Sequence, residues 1–204
     1  MKITLIDAGK RFNRDWIFRH LNYTFSTGIS YAITGPNGSG KSTLLQSIAG
    51  AIAVSEGNIR YESPGVIPPE EAYRFLSLAA PYLQVVEEMT VLEFLHFHAS
   101  FKAFLPGLSV AEIIRMVGLE TAADKQIRYY SSGMKQRVRL AQALFTDTPV
   151  ILLDEPCTNL DTDGIGLYRQ LIRQYAAGRL VIVSSNDPEE YEFCEKKIDI
   201  RDYR

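Results

Sequence analysis

Between residues 35 and 43 the chain reads Gly35-Pro36-Asn37-Gly38-Ser39-Gly40-Lys41-Ser42-Thr43. Three glycines followed by a lysine and two hydroxyl residues complete the G-x-x-x-x-G-K-[ST] pattern. The glycines let the backbone wrap a polyphosphate in conformations that a side chain would forbid. The N–H groups then converge on the anion, helped by the dipole of the helix that follows. Lys41 supplies positive charge at the β- and γ-phosphates, and the Ser42 hydroxyl is a ligand for Mg²⁺. A second chemical signal is Asp154-Glu155, directly after the apolar run Val150-Ile151-Leu152-Leu153. Two carboxylates side by side are costly unless a cation compensates them, and a phosphate-bound Mg²⁺ is the natural one.

These residues need a scaffold that presents them together. Gly28 to Ile33 is strand-like and Leu44 to Ala49 helix-like, so the loop sits between a strand and a helix. Val150–Leu153 reads as a strand buried on both faces of a parallel sheet. Asp154 and Glu155 then fall at its C-terminal end, where ligands bind in open α/β sheets. A second such strand, Leu180–Val183, ends in Ser184-Ser185-Asn186-Asp187, and Ile198-Asp199-Ile200 is placed to close the sheet. Before the loop come short strands at Ile3–Ile6, Trp16–Phe18 and Leu21–Phe25. Leu21, Tyr23 and Phe25 alternate with polar residues as a half-buried antiparallel strand does. Phe12 and Trp16 precede these strands in a turn. An exposed aromatic there can stack on a nucleobase, and core packing is the other reading, favoured for Trp16. Strand signals at Asn58–Tyr61 and Phe75–Leu78 flank a Pro/Gly/Glu-rich loop at 63–71.

Residues 90–126 turn helical. Phe94, Phe97, Phe101 and Phe104 recur at three, four and three, which places them on one helix face, as a small core or as a groove for a partner's helix. His96 and His98 are two apart on that helix, which points them to different faces and argues against a metal site. In Tyr130-Ser131-Ser132-Gly133-Met134-Lys135-Gln136-Arg137, one of the two serines reads as a helix N-cap. Met134, Val138, Ala141 and Leu144 make the buried stripe of the helix after it. Lys135, Arg137 and Arg139 suit a solvated face, while the capped N-terminus suits an anion; spacing alone leaves both readings open.

Bulk properties narrow the classes. The 204 residues suit one α/β domain with a small inserted subdomain. Lys+Arg is 22 against Asp+Glu 24, a net charge of −2, which gives no electrostatic case for nucleic acid as a partner. The two cysteines, Cys157 and Cys194, fit no metal spacing and suit a reducing compartment. The stretch from Met1 to Asp7 meets charge at once and does not read as a signal peptide. The longest apolar stretch, Ile48 to Val54, is about seven residues, far short of the ~20 that span a bilayer.

Together these motifs resemble the nucleotide-binding subunit of ABC transporters over about residues 3–200. The implied fold is an α/β P-loop NTPase with a mixed sheet core, an N-terminal antiparallel β subdomain and an inserted helical subdomain at about 88–145, all in one domain spanning 1–204. The loop Gly35–Thr43 matches the family's Walker A motif throughout, and Val150–Pro156 is similar to Walker B. On the family pattern Asp154 holds Mg²⁺ through water and Glu155 polarises the attacking water. Pro156–Asp161 is similar to the D-loop. Tyr130–Arg137 resembles the signature motif, in a form typical of exporters. In the family two subunits sandwich two ATP molecules head to tail, so Ser131, Ser132, Gly133 and Asp161 of one chain would face the ATP of the other. The resemblance thus favours the anion reading of that helix N-terminus.

Four positions depart from the family pattern. Ser132 replaces the first signature glycine, and Tyr130 the leading leucine. Asn186 stands where a switch histidine is expected; it can donate a hydrogen bond to the γ-phosphate but carries no proton. Gln84 is the nearby candidate for the Q-loop Mg²⁺ ligand, although an ungapped register puts Pro81 at that position. The expectation is an ATP- and Mg²⁺-dependent ATPase, slower or differently regulated, that powers a transporter and most resembles small exporter cassettes of the haem-exporter kind. Its expected partners are a second ATP-binding subunit and integral membrane permease subunits. Its expected place is cytoplasmic, peripheral at the membrane through those partners. The alternative is a non-transport or weakly active ABC-type ATPase serving as a regulatory ATP switch. Relatives with long coiled coils between the Walker motifs are a poor match, because Lys41 and Asp154 are only 154 − 41 = 113 residues apart and no heptad run lies between them.

Overall fold

A computed structural model describes residues 1–204, which divide into two compact units. The first comprises Met1–Leu78, Thr148–Glu155 and Gly178–Arg204; the second comprises Ala79–Asp147 and Pro156–Ala177.

The first unit holds two sheets. In the antiparallel sheet, β1 (Lys2–Phe12) pairs with β2 (Asp15–Ser26) on one side and β4 (Glu56–Glu62) on the other, and β5 (Val66–Ile67) follows β4. The two short segments expected at Trp16–Phe18 and Leu21–Phe25 are one strand. Asn13, at φ 55°, makes the turn before it. Leu21 and Phe25 are fully buried, as their alternation predicts. The second sheet has the order β6 (Leu76–Ala79), β7 (Val150–Asp154), β8 (Leu180–Ser184), β3 (Ser30–Thr34), β9 (Lys196–Asp199). β7, β8, β3 and β9 run parallel. Every residue of β7 and β8 is buried, which their unbroken apolar runs require. Leu44, Leu45 and Ile48 of α1 (Lys41–Ile48) join Ile3, Leu5 and Phe25 from one sheet and Ile33, Leu152 and Ile182 from the other in a single core.

The parallel register fixes what the sheet presents at its C-terminal edge. Ser184 of β8 is aligned with Asp154 of β7 and with Ile33 of β3. The next backbone groups lock the same row: Glu155 N donates to Ser184 O at 2.9 Å, and Ser185 N to Ile33 O at 3.1 Å.

The second unit is helical: α2 (Val91–Ala99), α3 (Val110–Met116), α4 (Ser132–Phe145) and α5 (Thr162–Tyr175). Thr90 and Ser109 start α2 and α3 with reciprocal capping boxes to Glu93 and Glu112. The phenylalanine periodicity does not describe one helix face. α2 ends at Ala99; the Ser100 hydroxyl donates to Phe97 O at 2.7 Å, and turn bonds from Phe101 N and Lys102 N to His98 O, 3.0 Å each, close the helical stretch. Phe94 is buried, whereas Phe97 and Phe101 are 46% and 73% exposed and meet edge to face. Phe104 lies outside the helix, bridged to Thr146 and against the His98 ring. No helix of the chain is long and apolar enough to cross a membrane.

Candidate functional site

The Gly35–Thr43 loop is shaped by its glycines. Gly35, Gly38 and Gly40 have φ of 142°, 74° and 103°. Gly40 is also sterically confined, since a Cβ there would lie 2.2 Å from Ile17 Cγ2. At Gly35 a Cβ would meet Ser39 Oγ at 2.8 Å and Ile200 Cγ2 at 3.0 Å. Ile17 of β2 and the turn Ile200–Tyr203 therefore brace the loop. Arg204 Nη2 adds a bond to Ser39 O at 3.4 Å. Lys41 is 4% exposed, and its Nζ donates to Gly35 O at 3.0 Å and Pro36 O at 3.2 Å. The loop thus arches over its own lysine. Pro36 O also accepts from Ser39 N at 3.1 Å, which closes the turn through Asn37 and Gly38. Thr43 lies in the first turn of α1, where its carbonyl accepts from the Ser47 hydroxyl at 2.9 Å.

Asp154, at the end of β7, is 1% exposed. Burial holds its carboxyl above the usual carboxylate range. The Ser184 and Ser42 hydroxyls oppose that rise, Glu155 adds to it, and Lys41 opposes it. Asp154 Oδ1 is buried with no hydrogen-bond partner, and so is Ser39 Oγ. The unpartnered Asp154 oxygen together with the Ser42 hydroxyl is an all-oxygen donor set, which fits a hard divalent cation such as Mg²⁺. Glu155 is held at φ 42°, a conformation that non-glycine residues rarely adopt. Such strain is sustained only where the surroundings fix it, here by the bond from its N–H to Ser184 O. Asn186 is exposed just beyond β8, where the Ser185 hydroxyl accepts from Asp187 N at 2.9 Å and turns the chain into the short α6 (Pro188–Tyr191).

The aromatic pair at the β1–β2 turn sorts unlike the sequence expectation. Trp16, expected in the core, is half-buried, with the Arg11 and Arg19 guanidinium groups 5.5 and 4.5 Å from its ring. Phe12 is 48% exposed, with Lys10 Nζ 5.0 Å from its ring, so core packing does not account for it.

The second unit gathers the other motif residues. Ser131 is the N-cap of α4, its hydroxyl accepting from Met134 N at 3.2 Å. Ser131, Ser132, Gly133 and Arg137 line a cavity of about 410 Å³ with Asn159 and Asp161. Asp161 caps α5 by accepting from Gly164 N at 2.8 Å, and its carboxylate lies 3.6 Å from Arg137 Nη2. A Cβ on Gly133 would lie 2.8 Å from the Asn159 carbonyl. Asn159 itself sits at φ 65°. Ser132, the first helical residue, is exposed and carries its side chain without strain. Of the two signature glycines of the family pattern, only the second is sterically obligatory here. Tyr130, in place of a leucine, is buried and donates its hydroxyl to Ala122 O at 2.7 Å.

The cationic residues of α4 do not form a loose solvated face. Lys135 pairs with Glu87 at 2.6 Å, Arg137 with Asp161, and Arg139 Nε donates to Leu83 O at 2.7 Å. Met134, placed in the buried stripe by periodicity, is half-buried, and Gln136 takes a fully buried position instead. Gln84 belongs to this unit, exposed in the irregular stretch between β6 and α2.

The chain thus brings Gly35–Thr43, Asp154, Glu155 and Asn186 to one sheet edge. It collects Ser131, Ser132, Gly133 and Asp161 in the other unit. Sequence reasoning misses Ser184, Ile17, Ile200, Gln136 and Asn159. Ser184 is legible as a strand end, but its alignment with Asp154 exists only once the strands pair; the others show no periodic signal.

Residues 18–158 match the ABC transporter family model. The cytochrome c biogenesis ATP-binding export protein CcmA of Agrobacterium fabrum is 30% identical over 92% of this chain and 90% of its own length. An ATP-binding subunit of an ABC transporter superposes with a TM-score of 0.81 at 25% identity, over 98% of this chain and 86% of that one. The bacterial ABC transporter cassette MJ0796, known as a dimer, superposes with a TM-score of 0.80 at 24% identity, over 97% and 94% of the two chains. The chain therefore belongs to the ABC transporter family, as one of its ATP-binding cassettes.

Proposed function

We propose that this cassette hydrolyses ATP to drive a membrane exporter, working as one of two head-to-tail cassettes beneath integral membrane permease subunits. The observation that carries the reading is the division of the motifs. The triphosphate cradle, Asp154 and Glu155 occupy one compact unit, whereas a capped helix N-terminus with its cavity occupies the other. A second cassette would supply the latter to the ATP held by the former. The relative CcmA, named as an export protein, supports the direction of transport. Cytoplasmic placement at the membrane face follows from attachment through the permease.

In this reading the backbone N–H groups of the loop after Pro36 and the α1 N-terminus bind the phosphates, and Lys41 leaves its carbonyl partners for the β- and γ-phosphate oxygens. Phe12 stacks on the base. Ser42, Asp154 and Gln84 are the residues that would hold Mg²⁺, which supplies charge neutralisation at the phosphates. Glu155, already fixed by its backbone, orients the attacking water and takes up its proton. Asn186 donates a hydrogen bond to the γ-phosphate. Ser131, Ser132 and Gly133 of the second cassette cover that phosphate with the α4 N-terminus, and Asp161 positions the adjoining loop. Binding closes the pair and hydrolysis reopens it, which passes a two-state switch to the membrane partner.

Phosphate release by the purified chain tests this. Glu155→Gln is expected to slow turnover by about 10²–10⁴-fold with ATP affinity retained. Asn186→His is expected to raise turnover by restoring an ionisable group. Turnover unchanged in Glu155→Gln would refute the assignment.

A further inference from the structure

Gln136 is a fully buried amide in the middle of α4. Its Nε2 donates to Pro156 O at 2.8 Å. Its Oε1 accepts from Arg139 Nη1 at 3.3 Å, and Arg139 Nε donates in turn to Leu83 O at 2.7 Å. These three bonds make a continuous chain within the second unit, from Leu83, next to Gln84, to Pro156, next to Glu155. Two ion pairs hold its ends. Lys135, one turn before Arg139 on the same helix face, binds Glu87 at 2.6 Å, and Arg137 reaches Asp161 at 3.6 Å. A buried amide with both ends engaged cannot turn without leaving polar groups unsatisfied, so the chain moves as a unit or breaks.

We infer that Gln136 and Arg139 are positioning residues forming a relay between the 83–87 segment and the loop 156–161 that continues from Glu155. A displacement of the Gln84 segment is thereby transmitted to the chain bearing Glu155 without passing through the nucleotide. Arg139 suits this role because its guanidinium fork serves a carbonyl and an amide oxygen at once, which a lysine's single ammonium cannot match. The inference rests on the reading of Glu155 as the hydrolytic carboxylate.

The test is amide hydrogen exchange and steady-state ATPase kinetics on the full chain, comparing the parent with Arg139→Met, Gln136→Met and the double variant. Arg139 bonds Leu83 O and Gln136 Oε1, and Arg139→Met is expected to speed exchange in residues 157–161 about five- to tenfold, as loss of one ordering bond would. It should lower kcat by a similar factor and leave the KM for ATP unaltered. The double variant should be no worse than the worse single one, because both cut the same chain. If Arg139→Met does not fold, Arg139→Lys keeps a donor for Leu83 O and should show the same changes more weakly. Exchange in 157–161 at the parental rate overturns the relay, as does faster exchange with an unaltered kcat. Exchange needs no turnover, so a parent that failed to hydrolyse ATP would refute the proposed function while exchange alone still decided the relay.

Discussion

Replacing Gly40 with alanine perturbs the triphosphate loop at its most confined point. Two costs add. The backbone at φ 103° is one that a residue with a Cβ adopts only at about 1–2 kcal/mol. The new methyl would also stand 2.2 Å from Ile17 Cγ2. Ile17 is β-branched and stiff at χ1, so it cannot swing aside, and overpacking of this kind costs about 1–3 kcal/mol. The expected destabilisation of Gly40→Ala is therefore about 2–5 kcal/mol, with ATP binding lost. Trp16, the sole tryptophan, lies beside Ile17 in the first unit, so its fluorescence follows this unit through a urea titration. The steric and dihedral parts separate in a double-mutant cycle. Ile17→Ala removes the clashing methyl but not the φ, so Gly40→Ala with Ile17→Ala should recover about 1–3 kcal/mol relative to the sum of the singles. A Gly40→Ala chain within about 0.5 kcal/mol of the parent, or strict additivity with Ile17→Ala, would refute the reasoning.

Two further outcomes follow from the second unit. His98 has its Nε2 2.8 Å from Thr146 Oγ1, and burial, with Lys102 nearby, depresses its pKa to about 4. A depressed base stabilises the fold above its unfolded value of 6.5 and loses that contribution as pH falls from there to about 4. His98→Gln should accordingly flatten the loss of stability across this window, by about 1–2 kcal/mol once the part of the ring that water screens is discounted, in denaturant titrations at each pH. Gly133→Ala should shift the Asn159 loop and depress ATP turnover at least about tenfold, whereas Ser132→Gly should leave it within about twofold, measured by phosphate release. Equal effects of the two substitutions would show that the close approach of Asn159 has no functional weight.

The parts of the site set by covalent neighbours are legible in the chain itself. Gly35–Thr43 announces a strand, a turn and a helix because its glycines and lysine are needed together, and β3 and α1 lie where those flanks predict. Val150–Leu153 could only be a strand buried on both faces, which puts Asp154 at its end. What depends on distant contacts is not legible. The phenylalanine spacing runs on through the end of α2 because periodicity does not register where a helix stops, and α2 stops at Ala99, before Phe101 and Phe104. The capping boxes Thr90–Glu93 and Ser109–Glu112 mark the starts of α2 and α3, and that S/T-x-x-E signal is present in the sequence. Trp16 misleads because a lone tryptophan between strands suggests core, whereas it is half-buried with two arginines over its ring. Gln136 lies among cations that suit a solvated face and is a buried junction, since the partners of its chain at 83 and 156 come from remote segments. Tolerance of Ser132 beside the obligatory Gly133 rests on a single carbonyl, that of Asn159, which no motif encodes.

If two cassettes complete one another's sites, two inactive variants restore activity when mixed, and that mixture is the direct test. Lys41→Ala disables the triphosphate loop and leaves the Ser131–Gly133 surface whole; Gly133→Asp does the converse. Each alone is expected to be inactive. A mixed pair contains one site with an intact loop from one chain and an intact α4 N-terminus from the other. An equimolar mixture should regain about a quarter of parental ATPase activity, since half of the pairs are mixed and each has one of two sites intact. A mixture that stays as inactive as its components, although size measurements show that the two variants pair, would contradict it.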